Sequence, residues 1–330
     1  MGKSTILITG GTGYIGSHIT HLLVSMGYEP VVVDNLSNSR RDTIPKSVPF
    51  YSLDVSDTEG VTSILREYKI DAVIHMAAFL SVEESVANPL AYYKNNVEGT
   101  RSLLQACLNA GVKKFIFSST GVTYASSEKN LTESSPTLPV SPYGHSKLMA
   151  EQLVRDTCAA NDMKSVILRY FNVAGADPSG RCGQTDLNSP LLVARACAAA
   201  SGDADKMFVF GTDYPTKDGT CVRDYIHVSD LAAAHTAVLE KDFPDNAAIF
   251  NCGYGHGYSV KEVLEAFQKF TGQKLPIEYA PRRPGDAVQT VADNSALLKA
   301  TDWRPKYDSL ETIITTAWDW YKRERMRDAA

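Results

Sequence analysis

Six short β-rich runs, several of them nearly all apolar, recur through the first half of the chain: TILITG (5–10), EPVVVD (29–34), PFYSLD (49–54), DAVIHM (71–76), KKFIFSS (113–119) and KSVILRY (164–170). Runs without polar alternation suit strands covered on both faces, and the intervening stretches are long enough for the helical crossovers that parallel strands require. The expectation is an α/β fold built on a doubly wound parallel sheet. After NVAGADPSG (172–180) the rhythm loosens, Pro and Gly become more frequent, and helical stretches fall at 189–201 and 258–272. Residues 1–175 are read as the sheet domain, with later segments returning to it, and 176–330 mainly as a smaller α/β lobe over the sheet's carboxyl edge, where such sheets bind ligands.

Composition narrows the class of partner. With 44% hydrophobic and 22% charged residues the 330-residue chain is ordinary globular material. A net charge of −5 without a Lys/Arg block gives no footing to nucleic acid or to a polybasic membrane surface. Six scattered cysteines, Cys107, Cys158, Cys182, Cys197, Cys221 and Cys252, form no CxxC pair and no zinc spacing, so they read as buried free thiols in a reducing compartment, with no metal. The start runs straight into a strand, leaving no room for a signal peptide; it begins Met-Gly, but Ile6 stands where myristoylation wants Ser or Thr. No apolar run approaches the roughly 20 residues of a membrane span. A cytoplasmic protein acting on small molecules is expected.

TGGTGYIGSH (9–18) places Gly10, Gly13 and Gly16 between a strand and a helix. Glycines there permit the tight turn and the close backbone approach that a pyrophosphate at a helix N-terminus needs. Alone, the triplet is as consistent with a bare turn. The second strand, however, ends in Asp34, where a carboxylate can accept from adenosine ribose hydroxyls, so the sheet reads as Rossmann-type. The same charge repels a 2′-phosphate and favours NAD, while Arg40 and Arg41 nearby leave NADP open.

SPYGHSK (141–147) contains Tyr-x-x-x-Lys, which puts Tyr143 and Lys147 on one helix face. A free phenol, with pKa about 10, is no base near neutrality; an adjacent ammonium and an oxidised nicotinamide would both favour the phenolate. Ser118, Ser119 and Thr120 end the fifth strand at the edge where a nicotinamide should lie, and a hydroxyl there can hold a substrate oxygen against the tyrosine.

Together, TGGTGYIGSH, SST, SPYGHSK and LRYFNVAGADPSG resemble the extended short-chain dehydrogenase/reductase family. YYKNNVEGT (92–100), DYPTKDGTCVRDYIHVSDLAAAH (213–235) and APRRPGD (280–286) narrow the resemblance to its UDP-hexose 4-epimerases, over about residues 4–320. The resemblance implies interconversion of UDP-galactose and UDP-glucose through a transient 4-keto sugar and bound NADH, with Tyr143 taking the proton of the 4-hydroxyl, Lys147 holding the nicotinamide ribose and Thr120 sharing the proton. It implies NAD contacts from Gly10, Gly13, Tyr14, Ile15, Gly16, Asp34, Asn35, Asn38, Ser39, Asp54, Val55, Met76, Ala77, Ala78, Asn95, Ser118, Tyr143, Lys147 and Phe171. For the nucleotide sugar it implies Thr120, Tyr143, Asn172, Asn188, Phe208, Val209, Phe210, Arg223, Arg283, Asp286 and Thr290. Arginines suit the diphosphate because their planar fork binds phosphate oxygens in pairs.

Departures from the family pattern matter as well. Leu80 stands where some members have lysine, Glu83 interrupts a Val-Gly-Glu-Ser stretch, and LNSPLLVA (187–194) differs from the usual approach to the next helix. Thr290 replaces a large tyrosine of some members, which suggests room for an N-acetyl group. A 4,6-dehydratase would carry an Asp-Glu pair where Gly121 and Val122 follow Thr120. Epimerisation of UDP-glucuronate stays open, whereas a catalytically silent NAD sensor of this fold would typically have lost the Tyr/Lys pair that this chain retains. Apolar residues on more than one face of the helical stretches 89–111 and 142–160, together with the resemblance, imply a homodimer.

Overall fold

The computed structural model describes residues 4–283 and 285–328; the Met-Gly start and Pro284 of APRRPGD lie outside them. Strands β1 (Thr5–Thr9), β2 (Glu29–Asp34), β3 (Phe50–Ser52), β4 (Ala72–His75), β5 (Lys114–Thr120) and β6 (Lys164–Tyr170) realise the six apolar runs. They are followed by β7 (Asn172–Ala174), β8 (Met207–Phe210), β9 (Val222–Arg223), β10 (Tyr225–His227), β11 (Ala247–Cys252), β12 (Tyr258–Ser259), β13 (Ile277–Ala280) and β14 (Gln289–Thr290). The large sheet has seven strands in the order β3-β2-β1-β4-β5-β6-β11, with every neighbouring pair parallel, and is of the Rossmann type. Its last member, β11, pairs Ala247–Cys252 with Ser165–Tyr170; the sequence rhythm did not mark it, because it returns after the loosened segment.

Period-two alternation explains why these strands show no polar face. Ile6, Ile8, Val32, Ile74, Ile116 and Leu168 point into one buried cluster, while Leu7, Val31, Val33, Val73, Phe115, Phe117 and Ile167 point into another on the opposite face. Helices α1 (Tyr14–Ser25) and α8 (Val228–Leu239) cover the first side; α2 (Thr58–Glu67), α5 (Gly99–Ala110) and α6 (Pro142–Ala160) cover the second. Between β4 and α5 lie α3 (Val82–Ala87), α4 (Pro89–Tyr92) and a π-helical turn, Tyr93–Glu98. The stretch expected as one helix over 89–111 is therefore interrupted, and π turns gather at functional sites.

A third cluster, including Cys197, Met207, Val209, Leu264, Phe267 and Ile314, joins α7 (Leu192–Ser201), β8, α9 (Val260–Thr271) and α11 (Leu310–Asp328). Three small sheets accompany it: β7·β10, β12·β9·β14 and β8·β13. The first begins two residues beyond the carboxyl end of β6, which brings these strands to the sheet's ligand edge. All six cysteines are buried and unpaired, as composition suggested. Among the described residues no helix is long and apolar enough to cross a membrane.

Candidate active site

The chain leaves β1 through a turn that only glycine allows. Gly10 has φ +67°, and a Cβ there would stand 2.7 Å from the Ala77 nitrogen beyond β4. At Gly16 a Cβ would meet the Gly10 carbonyl oxygen at 2.1 Å, so the first turn of α1 sits directly on the strand end, capped by Gly13. Its unpaired N–H groups, among them those of Tyr14 and Ile15, are the ones an anion can use. The Tyr14 side chain does something else: its hydroxyl donates to the Gly175 carbonyl at 2.6 Å, fastening α1 to the segment after β7. Ile15 packs its side chain against the core.

Asp34 is both a loop cap and a candidate ribose ligand. It accepts from the Thr12 N–H at 3.1 Å, the Leu36 N–H at 2.9 Å and the Ser39 hydroxyl at 3.1 Å. With about four acceptor positions on a carboxylate, these bonds aim the group and leave capacity for a ligand. Asn35 donates to Asp54 at 2.8 Å, tying the loops after β2 and β3; Asn38 is exposed in the same loop, and Val55 is buried. Arg40 is engaged by Asp42 and Glu324. Arg41 donates to the carbonyls of Ile44, Pro45, Lys46 and Val48 and lies 5.2 Å from the centre of the Phe50 ring.

Tyr143 and Lys147 are both buried on α6, one turn apart. Lys147 Nζ stands 4.5 Å from the Phe117 ring centre. Burial pushes Lys147 down to about 7, with the Glu151 carboxylate pulling upward. The same burial pushes the Tyr143 phenol up to about 12, opposed by the Thr120 hydroxyl. In the protein chain alone the expected lowering of the phenol by Lys147 does not prevail: a shared apolar surrounding disfavours both charged forms, and the Thr120 hydroxyl is the group that opposes it at Tyr143.

The hydroxyl row at the end of β5 divides by strand alternation. Ser118 donates to Met76 Sδ at 2.6 Å and lies 3.2 Å from His235 Nε2 of α8, whereas Ser119, on the Phe117 side, donates to Glu151 of α6. Thr120 accepts from the Val122 N–H at 3.2 Å. Phe171 lies against Gly121, where a Cβ would come within 2.6 Å of its ring. Ala77 and Ala78 follow β4, with Ala77 touching the glycine turn, and Asn95 donates to Asn96 at 2.9 Å.

A second group gathers on the lobe. Arg223 pairs with Asp286 at 2.5 Å, and Tyr214 donates to the same carboxylate at 3.3 Å. Thr290 of β14 is the register partner of Arg223, and the Asn172 N–H donates to the neighbouring Asp224 carbonyl at 3.0 Å. The Arg283 guanidinium lies 3.9 Å from the Phe210 ring centre. Phe208 is exposed while Val209 points into the core, so Val209 can offer a ligand only its main chain. Asn188 is exposed with its N–H held by Asp186 at 2.9 Å, and no hydrogen bond among the described residues joins it to this group.

Residues 6–253 match the profile of the NAD dependent epimerase/dehydratase family. The chain belongs to that family. A UDP-glucose 4-epimerase of Azospirillum brasilense is 47% identical over 317 residues, covering 96% of this chain and 91% of that protein. One of Bacillus subtilis (strain 168) is 45% identical over 326 residues, covering 96% of each. Among solved structures, the UDP-glucose-4-epimerase from Stenotrophomonas maltophila with bound NAD and formylated UDP-arabinopyranose superposes with a TM-score of 0.94 at 37% identity, over 99% of this chain and 100% of that one. The UDP-Glc/GlcNAc 4-epimerase from Campylobacter jejuni gives 0.83 at 44% identity, over 97% and 100%.

The residues present fit the family's dinucleotide. The glycine cradle is a space that a Cβ at Gly10 or Gly16 would fill, and Asp34 stands oriented at the end of β2. Sequence reasoning passed over several supports of this epimerase-family site. Tyr92, fully buried, meets Tyr143 edge-on with ring centres 6.4 Å apart and donates to Glu84 at 2.9 Å. Asn96, next to the expected Asn95, clasps Phe79 through its N–H (2.9 Å) and its carbonyl (3.1 Å), and donates to Ser146 at 3.0 Å. Asp224 accepts the N–H groups of Tyr254, Gly255 and Ala292 and is raised to about 6 by burial. The one legible signal was Glu151, which follows Lys147 by the same four residues that separate Lys147 from Tyr143.

Proposed function

We propose that this protein is an NAD-dependent isomerase that interconverts UDP-galactose and UDP-glucose at C4. The carrying observation is the buried Tyr143–Lys147 pair of α6 beside Thr120 at the carboxyl end of β5. When bound, NAD supplies a reversible two-electron acceptor for the sugar's C4 carbon–hydrogen bond. Tyr143 takes the proton of the 4-hydroxyl and later returns it; Thr120 shares that proton. Because the apolar surroundings hold the phenol near 12, Tyr143 needs a cation beside it when it gives up its proton, and Lys147 supplies one. Arg223 and Arg283 bind the diphosphate, Phe208 and Phe210 flank the base, and Asp286 holds Arg223 in place. The glycine turn, Asp34 with its loop, and the residues after β4 hold NAD.

The same pocket takes the N-acetylated UDP-hexosamines, a reading supported by the small Thr290 beside Arg223. Residues 1–175, with α8 and β11 returning, form the NAD-binding unit, and 176–330 supply most of the sugar-nucleotide lobe. Exposed Val82, Val86, Leu90 and Met149 on the packed helices α3, α4 and α6 support a homodimer, although the rest of the outer face of α6, with His145, Gln152, Arg155 and Asp156, is polar. The six unpaired thiols agree with the cytoplasm.

Conversion of UDP-galactose to UDP-glucose by the purified protein without added NAD tests the function. Activity that disappears in Tyr143→Phe is the expected result. No conversion of UDP-galactose or of the N-acetylated sugars, even with NAD supplied, overturns it.

A further inference from the structure

Helix α6 carries a third polar residue on the face of Tyr143 and Lys147. Glu151 is 2% exposed, and its carboxylate collects three donors: the Ser119 hydroxyl of β5, and Arg169 Nε (2.9 Å) and Nη2 of β6. Arg169 in turn lies 4.7 Å from the Tyr124 ring centre, and the Tyr124 hydroxyl donates to Asn251 of β11 at 2.6 Å. One carboxylate therefore links the helix turn bearing Lys147 to β5 and β6, and through Arg169 and Tyr124 to β11. Ser119 immediately precedes Thr120. The surroundings are apolar, including Phe117, Ala150, Val154 and Ile167, and apolar residues of matching volume commonly replace a buried ion pair without loss of stability. Stability alone is then a weak reason for a carboxylate here.

Resting on the reading of Tyr143 and Lys147 given above, we propose that Glu151 is a positioning residue for the reaction: its carboxylate fixes the helix turn that bears Lys147 against β5 and β6 and sets Thr120 through Ser119. Lys147 is faced by Tyr143 and Glu151 from its own helix, by the Phe117 ring of β5 and by His75 of β4, which burial holds neutral. Of the other charged residues on elements packed against α6, Arg169 is paired to Glu151, while Glu83 and Glu84 of α3, Lys94 and Glu98 of the π turn, Arg101 of α5, Lys114 of β5 and Lys164 of β6 exert no comparable pull. Glu151, one turn beyond Lys147 on the same helix, is the carboxylate that opposes the downward push of burial on the ammonium. Removing it makes Lys147 lose its proton at lower pH.

The test compares the native holoenzyme with Glu151→Gln and with Glu151→Gln/Arg169→Met, in which no buried charge is left unpaired. Turnover of UDP-galactose is followed across pH, with melting temperature and bound NAD measured alongside. In both variants kcat should fall about tenfold or more with KM little changed. The alkaline fall in kcat should move to lower pH by about one unit. Glu151→Asp should recover part of both. If the double variant folds and regains the native kcat and pH profile, Glu151 only balances Arg169 and the proposal is overturned. A double variant that does not fold also counts against it, because the pair is then required by the fold itself. Absence of turnover in the native protein would instead defeat the epimerase reading.

Discussion

Arg40 and Glu324, 284 residues apart, are joined by an ion pair that binds the loop after β2 to helix α11. Glu324 is buried, so the guanidinium is committed to it, as Arg41 is committed to its ring of carbonyls. Both arginines could have served a 2′-phosphate on sequence grounds; both are spent on the protein.

Cofactor choice should therefore rest on Asp34. Arg40→Ala should leave the preference for NAD over NADP unchanged, whereas Asp34→Ala should weaken NAD roughly tenfold, the worth of a hydrogen bond to a charged group. Titration of the stripped protein with each dinucleotide checks this. A marked change of preference in Arg40→Ala would refute it.

Gly16 offers a steric test of the dinucleotide cradle. Its missing Cβ would lie 2.1 Å from a backbone oxygen, which cannot swing aside as a side chain can. Gly16→Ala should force α1 away from β1, costing about 1–3 kcal/mol as overpacking does. Lower NAD content in the purified variant and an earlier urea midpoint are the expected results. Full NAD content at native stability would contradict the packing described.

The cradle was readable because glycine spacing, strand and helix register all point to one place. Asp34 and the Tyr143–Lys147 pair were legible for the same reason: each is a local pattern at the end of a local element. Asn96, Tyr92 and the pairing of Glu151 with Arg169 were not, since they act through contacts between segments 17 to 51 positions apart, which no window of sequence displays; only the spacing of Glu151 from Lys147 was there to be read. Strand β11 was missed likewise; AAIFNC is short, and its partner β6 lies across the intervening lobe segment. Asn188 shows the reverse case, a motif position that no hydrogen bond among the described residues joins to the group around Arg223, its N–H being held by Asp186.

Buried histidines give the protein an acid-labile fold. Burial holds His75 and His227 at about 3 and His18 and His235 at about 4, against an ordinary 6.5. Folded values below unfolded ones mean that the unfolded chain binds more protons in this range. The stability these groups contribute is complete above 6.5 and is lost as pH falls toward 4 and 3. Asp224, raised from 3.8 to about 6, runs the other way and offsets part of the slope. Urea midpoints should fall steadily below about pH 6.5. His235→Asn should reduce that slope by about 1.4 kcal/mol per pH unit, one proton's worth. An unchanged slope would show that His235 is not held neutral.

The last prediction concerns which sugar fits. Thr290 sits in β14 opposite Arg223, half-buried, with Asn172 close by through the Asp224 carbonyl. A threonine leaves space at this position that a phenol ring would occupy, and filling a pocket discriminates against the bulkier ligand by clash while sparing the smaller one. Thr290→Tyr should leave UDP-galactose conversion within about threefold of native but lower turnover of UDP-N-acetylglucosamine by about a hundredfold, a loss of roughly 2.7 kcal/mol in transition-state binding. Steady-state assays of both sugars on both proteins decide it. A native protein that converts UDP-galactose but not the N-acetylated sugar would show that the space beside Arg223 is closed by something other than residue 290, and the assignment of Thr290 as the determinant would fall with it.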